Sequence, residues 1–240
     1  MEFDPQMDPR ERAKWAAAQG ALDFVADGMR IGLGTGSTAA KFVELLGRKA
    51  QAEKWQVVCV PTSEATARQA RSLGLVLDSA YPDFGPLDVV VDGADEIDPH
   101  GNLTKGGGGA LLREKYVALA SRKMVVIADE GKHVARLGET FRLPVEIVAF
   151  AWSQTIERLR PWMEEIELRR TPTGEIFVTD QGNYIVDCRL APISDPALLQ
   201  RELKGVTGVV ETGIFPAIAS LVVTGRPDGS WQIKNFTSPA

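Results

Sequence analysis

The chain has 240 residues, a formal net charge of −5 and 44% hydrophobic residues, which suits one large domain or a main domain with a smaller companion. Mild acidity without Lys/Arg runs argues against nucleic-acid binding, and no apolar run approaches the roughly 20 residues that span a bilayer. Two distant cysteines, Cys59 and Cys188, form no disulfide framework, and the polar N-terminus shows no signal peptide, so we expect a cytoplasmic protein.

From residue 9 to residue 141, helical spacing alternates with short continuous apolar runs. Such runs, each followed by a helix, are typical of a parallel sheet. We therefore predict an α/β fold with a Rossmann-like, mostly parallel sheet and helices on both faces. The predicted helices are 9–26, 37–50, 63–74 and 110–123, and the predicted strands are 29–34, 55–61, 75–78, 89–91 and 124–129.

The pattern changes near Pro144. The turn signals TPTG and DQGN separate short strands in a strand-helix-strand-strand-helix-strand plan with one added hairpin strand, typical of a small α+β, ferredoxin-like domain. We place this domain at 142–208 and assign 1–141 and 209–240 to the main domain. The predicted strands are 145–150, 165–170, 175–179, 183–189, 209–215, 219–225 and 231–236, of which the last two return to the main sheet, and the predicted helices are 153–163 and 195–205.

A glycine-rich turn, GLGTGST at residues 32–38, lies between a predicted strand and a predicted helix. Glycines let the backbone approach a ligand closely, and the helix N-terminus offers unpaired N–H groups to an anion. The segment lacks the GxGxxG pattern of dinucleotide-binding folds and the GK[ST] ending of a Walker loop. We interpret it as a site for a terminal phosphate, with a tight turn capped by Ser37 or Thr38 as the alternative.

Four consecutive glycines follow Lys105 and precede the helix that carries Glu114. Such a run is costly to order, which argues against an ordinary loop. Its backbone N–H groups and the Lys105 charge are suited to holding a developing oxyanion while Glu114 moves a proton. Taken alone, between Arg113 and Lys115, Glu114 is more typical of a solvent-facing helix residue.

The acidic stretch DGADEID at residues 92–98 follows a predicted strand. The carboxyl ends of strands are where open α/β sheets bind ligands. The spacing does not fit a calcium loop, while magnesium on Asp92 and Asp95 stays open as an alternative. For Glu96 and Asp98 we expect a solvated turn.

Four basic or weakly basic residues carry no distinctive pattern of their own. His100 and His133 are the only histidines, lack metal-pair spacing and are expected at the surface. Lys132 follows a predicted strand and could reach the same sheet edge as the acidic stretch. Lys14, like most single lysines, is expected to face water unless other information assigns it a role.

Four motifs in this order resemble ribose-5-phosphate isomerases of type A: GLGTGSTA, VDGADEID, KGGGGALLREK and LPVEI. With NYIVDC and GVVETGIF, the resemblance covers nearly the whole chain, and several long motifs in order are far more specific than one. It implies interconversion of ribose 5-phosphate and ribulose 5-phosphate, in the pentose phosphate pathway, without a metal or organic cofactor. It also implies a homodimer or homotetramer that binds a small sugar phosphate and binds neither nucleic acid nor a membrane.

The resemblance assigns roles residue by residue. Glu114 matches a general base that moves a proton between C1 and C2 through a cis-enediolate. Asp92 and Asp95 match acids that contact sugar hydroxyls, Asp92 with a role in ring opening, and Lys105 with the next glycines matches the group that stabilises the enediolate oxygen. The implied substrate-binding residues are Thr35, Gly36, Ser37, Thr38, Asp92, Gly93, Ala94, Asp95, Lys105, Gly106, Gly107 and Gly108, with Lys14 and Lys132 near the phosphate. The hairpin at 169–179 and His100 lie outside the matched pattern.

Three other classes of protein are weighed. A sugar-phosphate sensor would need a DNA-binding helix-turn-helix, for which roughly 25 residues before the first strand are too few, and it has no use for a base such as Glu114. A nicotinamide dehydrogenase is weakened by the missing GxGxxG and ribose-binding acid. A magnesium-dependent phosphatase using the acidic stretch would lose its activity in EDTA.

Overall fold

A computed structural model of the protein describes residues 7–236. Its α-helices are α1 (Pro9–Ala21), α2 (Ser37–Glu53), α3 (Glu64–Ser72), α4 (Leu111–Leu119), α5 (Trp152–Leu159) and α6 (Pro196–Lys204). Its strands are β1 (Arg30–Leu33), β2 (Val58–Pro61), β3 (Val76–Leu77), β4 (Val89–Gly93), β5 (Glu96–Ile97), β6 (Leu103–Thr104), β7 (Met124–Asp129), β8 (Leu143–Ile147), β9 (Glu165–Leu168), β10 (Tyr184–Arg189), β11 (Val209–Thr212), β12 (Ile214–Phe215), β13 (Leu221–Gly225) and β14 (Trp231–Asn235). None of the helices within residues 7–236 is long and apolar enough to cross a bilayer.

The chain divides into two compact units, each with segments that are distant in sequence. Of the described residues, the first unit takes 7–94, 113–132 and 218–236, and the second takes 95–112 and 133–217. These bounds differ from the predicted small domain at 142–208. The second unit also contains a three-stranded sheet of β5, β6 and β12, which the sequence did not predict. Pairing between strands so far apart in sequence leaves no local pattern.

In the first unit, seven strands form one sheet in the order β14-β13-β7-β4-β1-β2-β3. All neighbours are parallel except β14, which runs antiparallel to β13. The inner strands are continuous buried runs, as expected for a covered parallel sheet, and α1 and α2 contribute side chains to the same core. The predictions of a mostly parallel sheet and of a return of the last two strands to it are confirmed.

The strand order reverses at β1, because β2 lies on one side of it and β4 on the other. Ligands of open α/β sheets bind at such a reversal, outside the carboxyl ends of the strands. The crossover from β4 to its parallel neighbour β7 contains α4, so this helix runs back from the carboxyl edge and its first turn lies there. Gly32 lets α4 lie close to β1, since an added Cβ would be 2.5 Å from Val117 Cγ1.

In the second unit, β8, β9, β10 and β11 form an antiparallel sheet in the order β11-β8-β10-β9. With α5 and α6 between them, the chain order confirms the predicted strand-helix-strand-strand-helix-strand plan. The added hairpin strand predicted at 175–179 is wrong, because that segment makes only isolated bridges. Between the tight turns at Gly174 and Gly182, both with positive φ, the segment makes one bridge to each side, Ile176 to Arg170 and Val178 to Tyr184.

Candidate active site

The loop after β1 (residues 34–36, hereafter the β1 loop) leads directly into α2. Gly36 has a φ of 124° and stands at the N-cap, and a Cβ added there would meet open space. Ser37 is exposed and Thr38 half-buried. The first-turn N–H groups of this 17-residue helix therefore have no side-chain cap from Gly36 and an open approach, which suits a phosphate group.

The Thr35 hydroxyl is held in a cluster of hydroxyls at the start of α3. Its Oγ1 lies 2.6 Å from Thr62 Oγ1, 2.9 Å from Ser63 Oγ and 3.2 Å from Thr66 Oγ1. Two of these hydroxyls also donate to the backbone carbonyls of residues 33–34. This hydroxyl cluster braces the β1 loop from behind, a role for Thr35 that the sequence does not indicate.

Asp92 lies near the end of β4, is fully buried and connects that strand to the β1 loop. Its Oδ1 accepts the Thr35 N–H at 3.1 Å and the Gly93 N–H at 2.7 Å. A Cβ on Gly34 would lie 2.1 Å from the same oxygen, so glycine is required at position 34 for this approach. The strand end and the loop are thereby fixed to one another by one carboxylate.

Glu114 lies in the first turn of α4 and is only 3% exposed, so it is not a solvent-facing helix residue. Its neighbour Arg113 donates to Glu64 Oε1 at 2.9 Å and also to the hydroxyl of Tyr81. The Arg113 guanidinium holds the pKa of Glu64 below its ordinary value, with a smaller effect from Tyr81. These bonds connect the first turn of α4 to the first turn of α3.

Lys14 of α1 and Lys41 of α2 share one carboxylate. Lys14 Nζ lies 2.7 Å from Glu11 Oε1, and Lys41 Nζ lies 3.1 Å from Glu11 Oε2. Both ion pairs lower the pKa of Glu11. Because Lys41 is one turn beyond Ser37, the shared carboxylate holds Lys14 beside the first turns of α2. Lys132 ends the short 3-10 turn after β7 and is half-buried, at the same edge of the sheet.

In the second unit, Lys105 is 2% exposed at the start of the four glycines (residues 106–109, hereafter the glycine loop). Its backbone N–H donates to the Gly213 carbonyl at 2.8 Å, and its Nζ lies 5.7 Å from the centroid of the Phe215 ring. Lysine is rarely buried to this extent in folded proteins. A fixed, largely desolvated ammonium interacts more strongly with an anion than one in bulk water does.

Asp95 supports the backbone of the glycine loop. Its Oδ2 accepts the Gly107 N–H at 2.8 Å, and a Cβ on Gly107 would lie 2.7 Å from Oδ1. Its own N–H donates to the Thr104 carbonyl. Asp95 therefore fixes one glycine-rich loop, as Asp92 fixes the other.

The expectation of a solvated turn at Glu96 and Asp98 is wrong, because both side chains are buried. Glu96 accepts the backbone N–H groups of residues 138, 140 and 141 and two threonine hydroxyls. Asp98 accepts the N–H groups of residues 100 and 102 and the Asn102 amide. Buried carboxylates need such donors, and all the donors to Glu96 except the Thr104 hydroxyl come from residues 138–141. His100 and His133 are exposed, as predicted.

Three sets of supporting residues were missed at the sequence level. They are the hydroxyls of Thr62, Ser63 and Thr66, the ion pair between Arg113 and Glu64, and the ion pair between Arg169 and Asp187. Only the first set carries a signal, since Ser63 has the pattern of an N-cap before a helix. Within residues 7–236, no group of three or more His, Cys, Asp or Glu side chains could hold a metal ion.

Comparison with known proteins decides the family. The family model described as ribose 5-phosphate isomerase A (phosphoriboisomerase A) matches residues 58–229. The chain belongs to this family. It is 46% identical, over 93% of its length and 97% of the relative, to the ribose-5-phosphate isomerase A of Synechococcus sp. (strain JA-3-3Ab). It is 49% identical, over 92% of its length and 96% of the relative, to that of Rhodopseudomonas palustris (strain HaA2).

Solved structures of the family have the same fold. A D-ribose-5-phosphate isomerase in complex with phospho-erythronic acid superposes with a TM-score of 0.89 at 38% identity, covering 95% of this chain and all of that one. The ribose 5-phosphate isomerase of Plasmodium falciparum superposes with a TM-score of 0.88 at 37% identity, covering 94% and 98% of the two chains. The resemblance in the motifs thus extends to the fold of both units.

Proposed function

We propose that this protein interconverts D-ribose 5-phosphate and D-ribulose 5-phosphate, the aldose-ketose isomerisation of its family. Membership of the ribose 5-phosphate isomerase A family supports the reaction. The observation that carries the assignment to residues is Glu114, a carboxylate only 3% exposed in the first turn of a helix that starts at the ligand-binding edge of the sheet. A general base in that setting is shielded from bulk water.

We infer the following division of labour. Glu114 takes the proton from one of the two carbons C1 and C2 and returns it to the other, through a cis-enediolate. Lys105 and the amides of Gly106 and Gly108 stabilise the oxygen that becomes negative in that intermediate, while the Gly107 amide donates to Asp95 and holds the loop. This requires no metal or organic cofactor, because the base and the oxyanion donors are supplied by the chain itself.

The remaining site residues bind the substrate in this proposal. The open N-terminus of α2, with Gly36, Ser37 and Thr38, takes the phosphate, and Thr35 holds the loop in place. Positive charge near the phosphate comes from Lys14 and Lys132. The residues 92–95 contact the sugar hydroxyls, with Asp92 or Asp95 assisting ring opening, and the backbone bonds of both aspartates keep their carboxylates in place.

The experiment is an isomerase assay with ribose 5-phosphate in excess EDTA, on the wild type, on Glu114→Gln and on the surface control Glu44→Gln. We expect the wild type and the control to be active. We expect Glu114→Gln to lose roughly 10²–10⁴-fold in turnover at nearly unchanged KM, the usual contribution of a placed acid/base group. Turnover of Glu114→Gln within a few-fold of normal would falsify the assignment, and loss of wild-type activity in EDTA would favour the magnesium alternative.

We also infer a cytoplasmic homodimer or homotetramer built on a Rossmann-like sheet. The buried, unbridged Cys59 and Cys188 fit a reducing compartment, and burial raises the pKa of each thiol to about 12. Tyr116 and Leu119, one turn apart on α4, are 65% and 71% exposed, as expected of side chains that a second copy covers. Light scattering measures the mass in solution, and a monomer would contradict the inference.

A further inference from the structure

We propose that Arg169, held by Asp187, is a positioning residue that sets the glycine loop for catalysis. The inference rests on the proposed function, since it concerns how the loop amides and Lys105 are aimed at the reacting oxygen. Arg169 lies in the hairpin at 169–179, which none of the family motifs quoted from the sequence includes. All the contacts that carry the inference lie within the second unit.

The Arg169 guanidinium joins a carboxylate to the loop backbone. Its Nε donates to Asp187 Oδ2 at 2.8 Å and its Nη2 to Asp187 Oδ1, which makes a two-point ion pair. Its Nη1 donates to the Gly106 carbonyl at 2.9 Å and to the Gly107 carbonyl at 3.3 Å. The Arg169 and Asp187 side chains are only 14% and 23% exposed. This is a fixed, mostly buried clamp on two consecutive peptide groups.

The orientation of a peptide carbonyl also sets the direction of the neighbouring N–H. The Gly106 and Gly107 carbonyls belong to the peptide units whose N–H groups are those of residues 107 and 108, because the peptide bond is planar. Arg169 therefore fixes the planes of two loop amides: the Gly107 N–H, which donates to Asp95, and the Gly108 N–H, which the proposed function uses as an oxyanion donor. Such donors contribute only when they are held in place before the charge develops.

A phenylalanine on the same hairpin completes the support. Phe177 donates its backbone N–H to the Arg169 carbonyl, and its ring lies 5.8 Å from the guanidinium carbon. The same ring occupies the space beside Gly109, where a Cβ would come within 2.4 Å of Phe177 Cζ. Gly109 has a φ of 79°, a conformation that glycine adopts without strain. The hairpin thus contacts the loop at both of its ends.

A guanidinium is required for this arrangement. A lysine ammonium is a point charge on a flexible stem and cannot bind both carboxylate oxygens and a carbonyl with fixed geometry. We therefore expect Arg169→Lys to retain the charge and lose the orientation of the loop. A role in positioning lowers turnover, whereas a role in substrate attraction raises KM.

The test compares Arg169→Lys and Arg169→Met with Arg170→Met, which removes the adjacent arginine whose guanidinium donates to the Gly174 carbonyl on the exposed side of the hairpin. We expect the Arg169 variants to lose up to about 10²-fold in turnover, the cost of a misplaced catalytic group. We expect KM to change less than about three-fold and Arg170→Met to match the wild type. Guanidinium ion added to Arg169→Ala should restore part of the turnover, and sodium at equal ionic strength should not.

Three outcomes would overturn the proposal: normal turnover in Arg169→Met, a change confined to KM, or an equal loss in Arg170→Met. If Arg169→Met fails to fold by circular dichroism, Arg169→Lys decides the question, and normal turnover there would also overturn it. If the wild type is active and Glu114→Gln is inactive, the proposed function stands even if Arg169 proves dispensable.

Discussion

The β1 loop and the glycine loop are both glycine-rich turns that hold an anion in the proposed function, yet they are braced by different chemistry. The β1 loop rests mainly on neutral hydroxyls, three of which surround Thr35 Oγ1, together with one aspartate on the Thr35 N–H. The glycine loop rests on charged groups, with the Arg169 guanidinium on two carbonyls and Asp95 on the Gly107 N–H. Glycines allow both conformations, and partners distant in sequence select them.

The difference corresponds to what each loop is proposed to hold. A phosphate keeps its charge throughout the reaction, so a helix N-terminus whose loop is supported mainly by hydroxyls is sufficient for binding it. An enediolate oxygen is negative only during the reaction, and its donors must be oriented beforehand. We therefore expect damage to the glycine loop to appear in turnover and damage to the β1 loop to appear in KM.

The largest effect is expected from Lys105→Met, which keeps the buried volume and removes the charge. Turnover should fall by about 10²–10³-fold with little change in KM, the cost of losing one oxyanion donor. Steady-state kinetics beside Lys49→Met, which removes a lysine paired with Glu53 on α2, provides the measurement and its control. A rise in KM alone would place Lys105 in substrate binding and remove the contrast between the two loops.

A smaller effect is expected from Thr35→Val, which keeps the shape of the side chain and removes its hydroxyl. Three partner hydroxyls would lose one hydrogen bond each, at a cost of about 1–3 kcal/mol in the free energy of unfolding. The loosened loop should raise KM by about ten-fold and leave turnover within a few-fold. Urea unfolding and kinetics measure both, and Thr35→Ser should restore them. An unchanged KM would show that the hydroxyl cluster supports the fold alone.

The architecture could be predicted from the sequence, and the reacting groups could be proposed from it, because both leave local patterns. Alternating apolar runs and helical spacing indicate the parallel sheet, and glycines before a helix indicate an anion site. Glu114 was ambiguous by itself, since its burial depends on how α4 packs across β1 and β4, and that packing requires Gly32 far away in sequence. The order of the motifs, and not any single one, is what led to the prediction that Glu114 is the base.

The supporting groups could not be predicted, for the same physical reason in each case. Glu96 was predicted to be a solvated acid. Its burial is possible because N–H groups from residues 138–141 bind the carboxylate, and no local sequence pattern links those residues to Glu96. Arg169 contacts carbonyls that lie more than 60 residues earlier in the chain. The division into two units was likewise set by β12 pairing with β6.

The smallest effect is expected from a buried acid next to the hairpin that supports the glycine loop. Glu146 Oε1 accepts from the Asn183 amide at 2.9 Å and from the Thr179 hydroxyl at 3.0 Å, so this carboxylate anchors the far end of the hairpin segment. Burial raises the pKa of Glu146 above its ordinary value; the Asn183 and Thr179 hydrogen bonds partly oppose this shift, and the negative charge of Glu211 adds to it. Glu211 is itself paired with Lys204.

The sign of the pH dependence follows from that shift. The folded state binds the Glu146 proton more tightly than the unfolded state, so this contribution to stability is present below the ordinary carboxyl pKa and is lost as pH rises through the raised one. The hydroxyl cluster of the β1 loop has no group that titrates in this range. The contribution of Glu146 to the free energy of unfolding should therefore fall as pH rises above about 4.5, and Glu146→Gln should remove that contribution from the pH curve. Glu157→Gln is the matched control, because Arg160 lowers the pKa of Glu157 and its small effect has the opposite sign. Urea titrations measure the free energy of unfolding at each pH. Parallel curves for the wild type and Glu146→Gln would show that the Glu146 contact with the hairpin is as insensitive to pH as the hydroxyl cluster of the β1 loop.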